Sequence, residues 1–304
     1  MTAVSCVIYR FRKGKNMTER GKEQKIRMIA FDLDGTALHR SKGLTEFTKR
    51  TLEKAARSGK MIVAASGRVW AALPEKLTDM QEMEYFITGN GSSILYRKQG
   101  SQAVERIYGK DMEPDKVEAM LAVAADYPWP MEVFMNGAAY ARADYVAHPT
   151  AFGASSDTYV RTTRKPVADI EDFVRRNISH IEGLNLIVAD MEEKRVIRSR
   201  LEKIKDVYVT SSVPRYLEVS RGGVCKGTAL QYLAKRLDIS REEILAFGDG
   251  ENDIEMLQYA GIGVAMENGE KKLQAAADRI APDCDEDGMA KTIQELIFDG
   301  ENEL

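Results

Sequence analysis

An α/β fold, built as a Rossmann-like parallel sheet with a second α/β unit inserted into it, is predicted by three observations. Short apolar runs recur along the chain, Met28-Ile29-Ala30-Phe31, Met61-Ile62-Val63-Ala64-Ala65 and Ile244-Leu245-Ala246-Phe247, each leading into a turn that contains glycine. Stretches with helical spacing alternate with them, and unbroken apolar runs are what parallel strands look like when helices cover both faces of their sheet. The chain has 304 residues, 44% hydrophobic and 30% charged, enough for two cores rather than one.

The elements follow in order. After the first run, Thr45 is placed to cap a helix that carries Phe47, Leu52 and Ala55 to a stop near Gly59. The strand ending at Ser66 completes a βαβ unit, so a ligand is expected beyond the carboxyl ends of the strands. Between Asn90-Gly91 and Gly222-Gly223 the pattern stays regular: Pro114 opens a helix towards Tyr127, and Met131–Met135 reads as a strand. Asn136-Gly137 is a two-residue hairpin signal leading into Ala138–Ala141. A helix over Ile170–Arg176, a strand over Leu184–Val188, a helix through Val196 and Leu201 and a strand over Tyr216–Val219 complete an antiparallel unit with its own core. The division expected is 27–88 with 222–304 as a discontinuous core, 89–221 as the inserted unit, and 1–26 as a disordered extension.

The first run ends in two carboxylates one residue apart, in Phe31-Asp32-Leu33-Asp34-Gly35-Thr36. Strand side chains alternate faces, so Asp32 and Asp34 are expected on one side, where the strand gives way to the turn. Like charges so close are costly unless a cation neutralises them or their surroundings split the two pKa values. A split pair suits phosphoryl transfer, one Asp attacking as carboxylate while the other shuttles a proton. Six residues alone would equally read as ordinary Asp-Gly turn chemistry. Three more segments, in order, favour the chemical reading. Ser66-Gly67-Arg68 offers a hydroxyl and backbone N–H groups to a phosphate. Lys226, opening an amphipathic segment, offers a point charge. Gly248-Asp249-Gly250-Glu251-Asn252-Asp253 supplies hard oxygen ligands of the kind Mg²⁺ takes.

Together these four segments resemble the motifs of the haloacid dehalogenase superfamily, and most closely its Cof-type sugar-phosphate phosphatases. The resemblance runs from about Met28 to the region of Ile297 and includes Thr88-Gly89-Asn90-Gly91, Leu217-Glu218-Val219, Val264-Ala265-Met266-Glu267-Asn268 and Asp285-Glu286-Asp287-Gly288-Met289. It implies a Mg²⁺-dependent phosphatase that passes through an aspartyl phosphate, with Asp32 as nucleophile and Asp34 as general acid and base. Ser66, Gly67, Lys226 and Asn252 would hold the phosphate. The metal would take the Asp32 carboxylate, the Asp34 backbone carbonyl and Asp249, with Asp253 acting through a water or by fixing Lys226. The inserted unit would be a cap that hinges near Asn90 and Gly222-Gly223 and sets specificity. Tyr140, Arg142, Tyr145, His148 and Arg161 are residues of it that could face the cleft, though each reads better as ordinary surface or sheet packing and none is singled out. A phosphomutase and a non-catalytic regulator that binds a phosphorylated metabolite are the alternative readings.

Composition limits the partners. The formal net charge of −3 carries no basic excess for a nucleic acid, and no apolar run approaches a membrane span. Cys6, Cys225 and Cys284 are too few and too far apart for a disulfide framework, which points to the cytoplasm. Cys225 reads as a small packing residue. His39, His148 and His180 lack ligand spacing. The partner expected is a small phosphorylated metabolite, with the chain working as a monomer or homodimer.

Overall fold

A computed structural model of the chain describes residues 26–154 and 156–298. The expectation for residues 1–26 therefore falls, apart from Ile26, outside the described residues. The strands are β1 (Met28–Phe31), β2 (Met61–Ala65), β3 (Tyr85–Thr88), β4 (Ser93–Arg97), β5 (Val104–Gly109), β6 (Met131–Met135), β7 (Ala138–Arg142), β8 (Arg164–Val167), β9 (Gly183–Ile187), β10 (Val207–Thr210), β11 (Tyr216–Arg221), β12 (Ile244–Gly248), β13 (Ile262–Met266) and β14 (Arg279–Ala281).

They form two sheets. The larger has eight strands in the order β14-β13-β12-β1-β2-β3-β4-β5, parallel from β14 to β3 and antiparallel beyond. Its apolar runs divide by parity as a sheet covered on both faces requires. Ile29, Phe31, Leu245 and Phe247 enter one core, whereas Met28, Ala30, Ile244 and Ala246 enter the other. Helix Glu46–Arg57 is capped as expected, with Thr45 Oγ1 accepting from Thr48 N at 3.1 Å. Its buried face is Thr48, Thr51, Leu52 and Ala55, and Phe47, expected on that face, is exposed. The i, i+3, i+4, i+7 stripe that starts at Thr48 turns Phe47 away from the sheet.

The smaller sheet has six strands in the order β10-β11-β9-β6-β7-β8. All its pairs are antiparallel except β7 with β8. Asn136 and Gly137 turn the β6–β7 hairpin with φ of 51° and 69°, the double positive φ that this turn needs.

One boundary differs from expectation. Residues 93–109, assigned above to the inserted unit, extend the larger sheet, because β4 pairs antiparallel with β3 and β5 with β4. Gly89, Asn90 and Gly91, with φ of 57°, 54° and 99°, are therefore a tight turn inside that sheet. The chain leaves the larger sheet after Gly109 and returns after Arg221. A run of left-handed residues looks the same in sequence whether it reverses a strand or joins two domains.

The smaller sheet lies over the carboxyl ends of β1, β2 and β12. Phe134 and Ala139 pack on Val69 and Ala72, and Ala71 N donates to Gly137 O at 3.0 Å. Arg198 donates through both terminal nitrogens to Glu251, each at 3.0 Å. Among the described residues, no helix is long and apolar enough to cross a membrane.

Candidate active site

Four loops converge where the parallel strands end. β1 delivers Asp32, whose backbone N still pairs with Phe247 O at 3.0 Å, so its carboxylate is held at the last rung of the ladder. Gly35 then closes the turn at φ +79°. A Cβ at Gly35 would sit 2.3 Å from Asp249 Oδ2, so only glycine lets the first loop pack against the loop after β12. Thr36 Oγ1 fixes the same carboxylate by donating to Asp249 Oδ1 at 3.0 Å.

Lys226 is the hub of the buried half. Fully buried at the start of helix Lys226–Arg236, it donates from Nζ to Asp32 Oδ1 at 2.5 Å and to Asp253 Oδ1 at 2.7 Å. The other Asp253 oxygen accepts from Asp249 N and Gly250 N, both at 3.0 Å. Asp253 thus spends its acceptors on the lysine and the loop. Oxygens of Asp32, Asp249 and Asp253 lie within 4.8 Å of one another, with one lysine to offset three carboxylates.

The electrostatics follow from that imbalance. Burial raises the Asp32 pKa well above the usual carboxylate range, with Lys226 opposing and Asp253 and Asp249 adding to the rise. Asp249 is pushed up to about 7, by burial first and Asp253 second. Burial works against the Lys226 charge, but Asp253 and Asp32 together hold it above the usual lysine range. Such a cluster could be relieved by taking up protons or by holding a cation.

The exposed half faces a cleft of about 380 Å³ between the two sheets, lined by Asp32, Asp34, Ser66, Gly67 and Asn252 together with residues of the smaller sheet. Asp34 turns its carboxylate away from the lysine to Arg68, which grips it with Nε at 2.7 Å and Nη2 at 2.6 Å. The remaining Arg68 nitrogen donates to Ala72 O at 2.9 Å. Ser66 is buried, and its Oγ accepts from Arg68 N at 3.1 Å. Asn252 Nδ2 donates to Asn90 Oδ1 at 2.9 Å, and Asn90 Nδ2 donates to Glu218 Oε2 at 2.6 Å, a polar chain from the core loop into the smaller sheet.

Each residue singled out from the sequence therefore lies at this end of the sheet. Asp32, Asp34, Ser66, Gly67 and Asn252 line the cleft, while Lys226, Asp249 and Asp253 stand behind Asp32. The five cap residues named as candidates do not line it. Tyr140 stacks on Phe173, Tyr145 is buried against Glu132, and Arg142 and Arg161 are spent on Asp144 and the Ala147 carbonyl. The smaller sheet contributes instead Phe134, Tyr159, Arg164, Asn185, Tyr216 and Glu218. Sequence held a signal for some of these. An acidic residue inside an apolar strand, as in Met131-Glu132-Val133-Phe134 or Leu217-Glu218-Val219, marks a buried carboxylate that must have a partner.

A second depression of about 390 Å³ lies at the opposite end of the strands, by Arg57, Lys60 and Glu82, and holds none of these groups.

A parallel α/β sheet that brings an aspartate, a lysine, a serine turn and an acidic loop to one cleft is an arrangement suited to phosphoryl transfer. The profile of the haloacid dehalogenase-like hydrolases matches residues 29–293, and the chain belongs to that family as a phosphoric monoester hydrolase. It is similar to the HMP-PP phosphatase of Cronobacter sakazakii, 30% identical over 82% of this chain and 87% of that one. A 5-amino-6-(5-phospho-D-ribitylamino)uracil phosphatase of Bacillus subtilis is 27% identical over 93% of this chain and 100% of its own length. Among solved structures, a haloacid dehalogenase-like hydrolase from B. subtilis superposes with a TM-score of 0.77 at 23% identity, covering 89% of this chain and 100% of that one. A subclass IIB sugar phosphatase gives 0.75 at 24%, covering 88% and 98%, and both share the fold.

Proposed function

We propose that this phosphatase is Mg²⁺-dependent, acts on a small phosphorylated metabolite of the sugar-phosphate class, and works through an aspartyl phosphate on Asp32. The observation that carries the reading is Asp32 itself, a carboxylate on the floor of the cleft held by a fully buried lysine.

The residues fit the metal. Three carboxylates within 4.8 Å of one another, two of them with raised pKa, are oxygen donors that a hard divalent cation relieves of their repulsion. Asp32 and Asp249 would hold it with the backbone carbonyl of Asp34, whose carboxylate is taken by Arg68. Asp253, with both oxygens engaged, would keep Lys226 and the Gly250 loop in place. When bound, the ion would offset the carboxylate charge and polarise a phosphate oxygen.

The chain's own residues do the rest. Asp32 attacks phosphorus, the ester P–O bond breaks, and its electron pair leaves with the alcohol oxygen, which Asp34 protonates. Water then attacks the same phosphorus while Asp34 takes its proton, and the P–O bond to Asp32 breaks to give phosphate and the free carboxylate. Asp34 can donate only with its Arg68 pair opened, so binding of the ester and release of that pair belong to one step. Lys226, the Ser66 hydroxyl and the Gly67 backbone N–H would stabilise the equatorial oxygens, with Asn252 bordering them.

The test is phosphate release from a panel of phosphorylated metabolites, with Mg²⁺ or with EDTA, using wild type beside Asp32→Asn. Mg²⁺-dependent release confined to wild type is the expected result. Equal release by folded Asp32→Asn would remove Asp32 from the nucleophile role. A trapped phosphoenzyme that passes its phosphoryl group to a sugar phosphate faster than to water would turn the reading to a mutase.

A further inference from the structure

The wall of the cleft formed by the smaller sheet's side contains a buried cation with one nitrogen that has no hydrogen-bond partner. Arg164, at the start of β8, is only 7% exposed yet borders the cleft. Its Nη2 donates to Glu132 Oε2 at 2.7 Å and its Nη1 to Thr163 Oγ1 at 2.8 Å. Glu132 is fully buried behind it and is held from the other side by Tyr145 Oη at 3.0 Å. Arg164 Nε is buried without a hydrogen-bond partner. The Tyr159 ring, which also lines the cleft, centres 4.7 Å from this guanidinium and 4.6 Å from that of Arg68.

A buried donor left unmade is costly, and native interiors keep few of them. The guanidinium is rigidly oriented by a buried carboxylate at the border of the cleft, so the N–H donors that Glu132 and Thr163 leave over are preorganised. Charge then limits what it receives. Glu132 neutralises Arg164, and the nearby Glu218, also buried and bordering the cleft, adds a negative charge. The rest of this wall mixes aromatic and aliphatic faces, Phe134, Tyr159 and Tyr216 among them, with the neutral polar side chains of Ser156, Asn185 and Ser212, and adds no further cation.

We propose that Arg164 is a specificity-determining residue that donates to an acceptor oxygen on the substrate's leaving group. It selects phosphate monoesters of neutral, hydroxyl- or carbonyl-bearing alcohols over esters whose leaving group is wholly apolar or carries a second anionic group. The inference rests on the phosphatase reading above and adds to it the chemistry of the part of the substrate that is not phosphate.

The experiment compares kcat/KM for phenyl phosphate, a neutral polyol phosphate such as ribitol 5-phosphate, and the doubly anionic 3-phosphoglycerate, in wild type and Arg164→Gln. Wild type should favour the polyol ester over both others. Arg164→Gln should lower the ratio of polyol to phenyl ester tenfold or more, mainly through KM. Removing one partner of a buried pair can unfold the cap. The double variant Glu132→Gln, Arg164→Gln removes both charges and should show the same fall in ratio. A ratio unchanged within threefold in the folded variants, or a wild-type preference for 3-phosphoglycerate, would overturn the assignment of Arg164 and leave the phosphatase reading standing. Turnover of no ester by wild type would instead remove the phosphatase reading, and this inference with it.

Discussion

The wall of the cleft built by the larger sheet and the wall built by the smaller one use charge in different ways. On the first, Asp32, Asp249 and Asp253 crowd around Lys226 in a cluster with more negative than positive groups. On the second, the buried charges are held one by one: Arg164 pairs with Glu132, and Glu218, which keeps its charge, takes neutral donors from Asn90 and from Ser212 N and Oγ. On the proposed reading, the first wall would receive a cation and a phosphate, and the second would sort leaving groups. Unbalanced charge is tolerated where a ligand completes it, and elsewhere a buried charge must be paired within the fold.

The comparison breaks most severely at Asp32. Asp32→Asn keeps the shape of the floor but would lose the proposed nucleophile, and turnover of the best ester should fall by roughly 10³-fold or more with Tm preserved, checked by phosphate release and thermal melting. Next is the link between the walls. Arg68 grips Asp34 with two nitrogens and lies against Tyr159 of the opposite wall. Lysine cannot reproduce that fork, so Arg68→Lys should lower kcat by about 10- to 100-fold and change the pH profile more than KM. A rise in KM with kcat unchanged would mean that Arg68 only binds substrate.

Metal and pH sharpen the contrast further. Asp249 is raised to about 7 by burial and by Asp253, so the folded state binds its proton more tightly than the unfolded chain does. That contribution favours folding below the ordinary carboxylate pKa and is lost as pH rises through 7. Without a cation, stability should therefore decline across that window. Mg²⁺ should raise Tm by several degrees more at pH 8 than at pH 6, where protons compete for the same oxygens. Equal Mg²⁺ shifts at both pH values would contradict the electrostatic account.

The smallest effect is expected at the latch. Arg198 reaches Glu251 of the acidic loop from the smaller sheet's side, at a half-exposed position screened by solvent. Arg198→Ala should cost about 1 kcal/mol or less in stability and raise KM no more than a few-fold, read by denaturant titration and steady-state kinetics.

The elements and the grouping of the candidate site residues were largely legible in sequence. Thr45 caps its helix, Asn136-Gly137 turns its hairpin, and the ends of β1, β2 and β12 bring Asp32, Ser66 and Asp249 to one edge of the sheet. Placement went astray at Gly89-Asn90-Gly91, where the turn reverses a strand within one sheet instead of opening the inserted unit. Phe47 was misplaced because one residue of phase along a helix moves a side chain about 100°.

What the sequence by itself determined was whatever depends on neighbours in the chain. Strand and helix periodicity, capping, turn chemistry and the clustering of carboxylates at strand ends are all set within a few residues, and they suffice for the fold and for naming the candidate aspartates. The tertiary structure alone decided which charges meet. Arg68 finds Asp34 across 34 positions, Arg164 finds Glu132 across 32, and Lys226 joins Asp32 to Asp253 across 194 and 27. Such pairs are chosen by the energy of burying charge once the sheets have packed, and nothing in local periodicity records that choice.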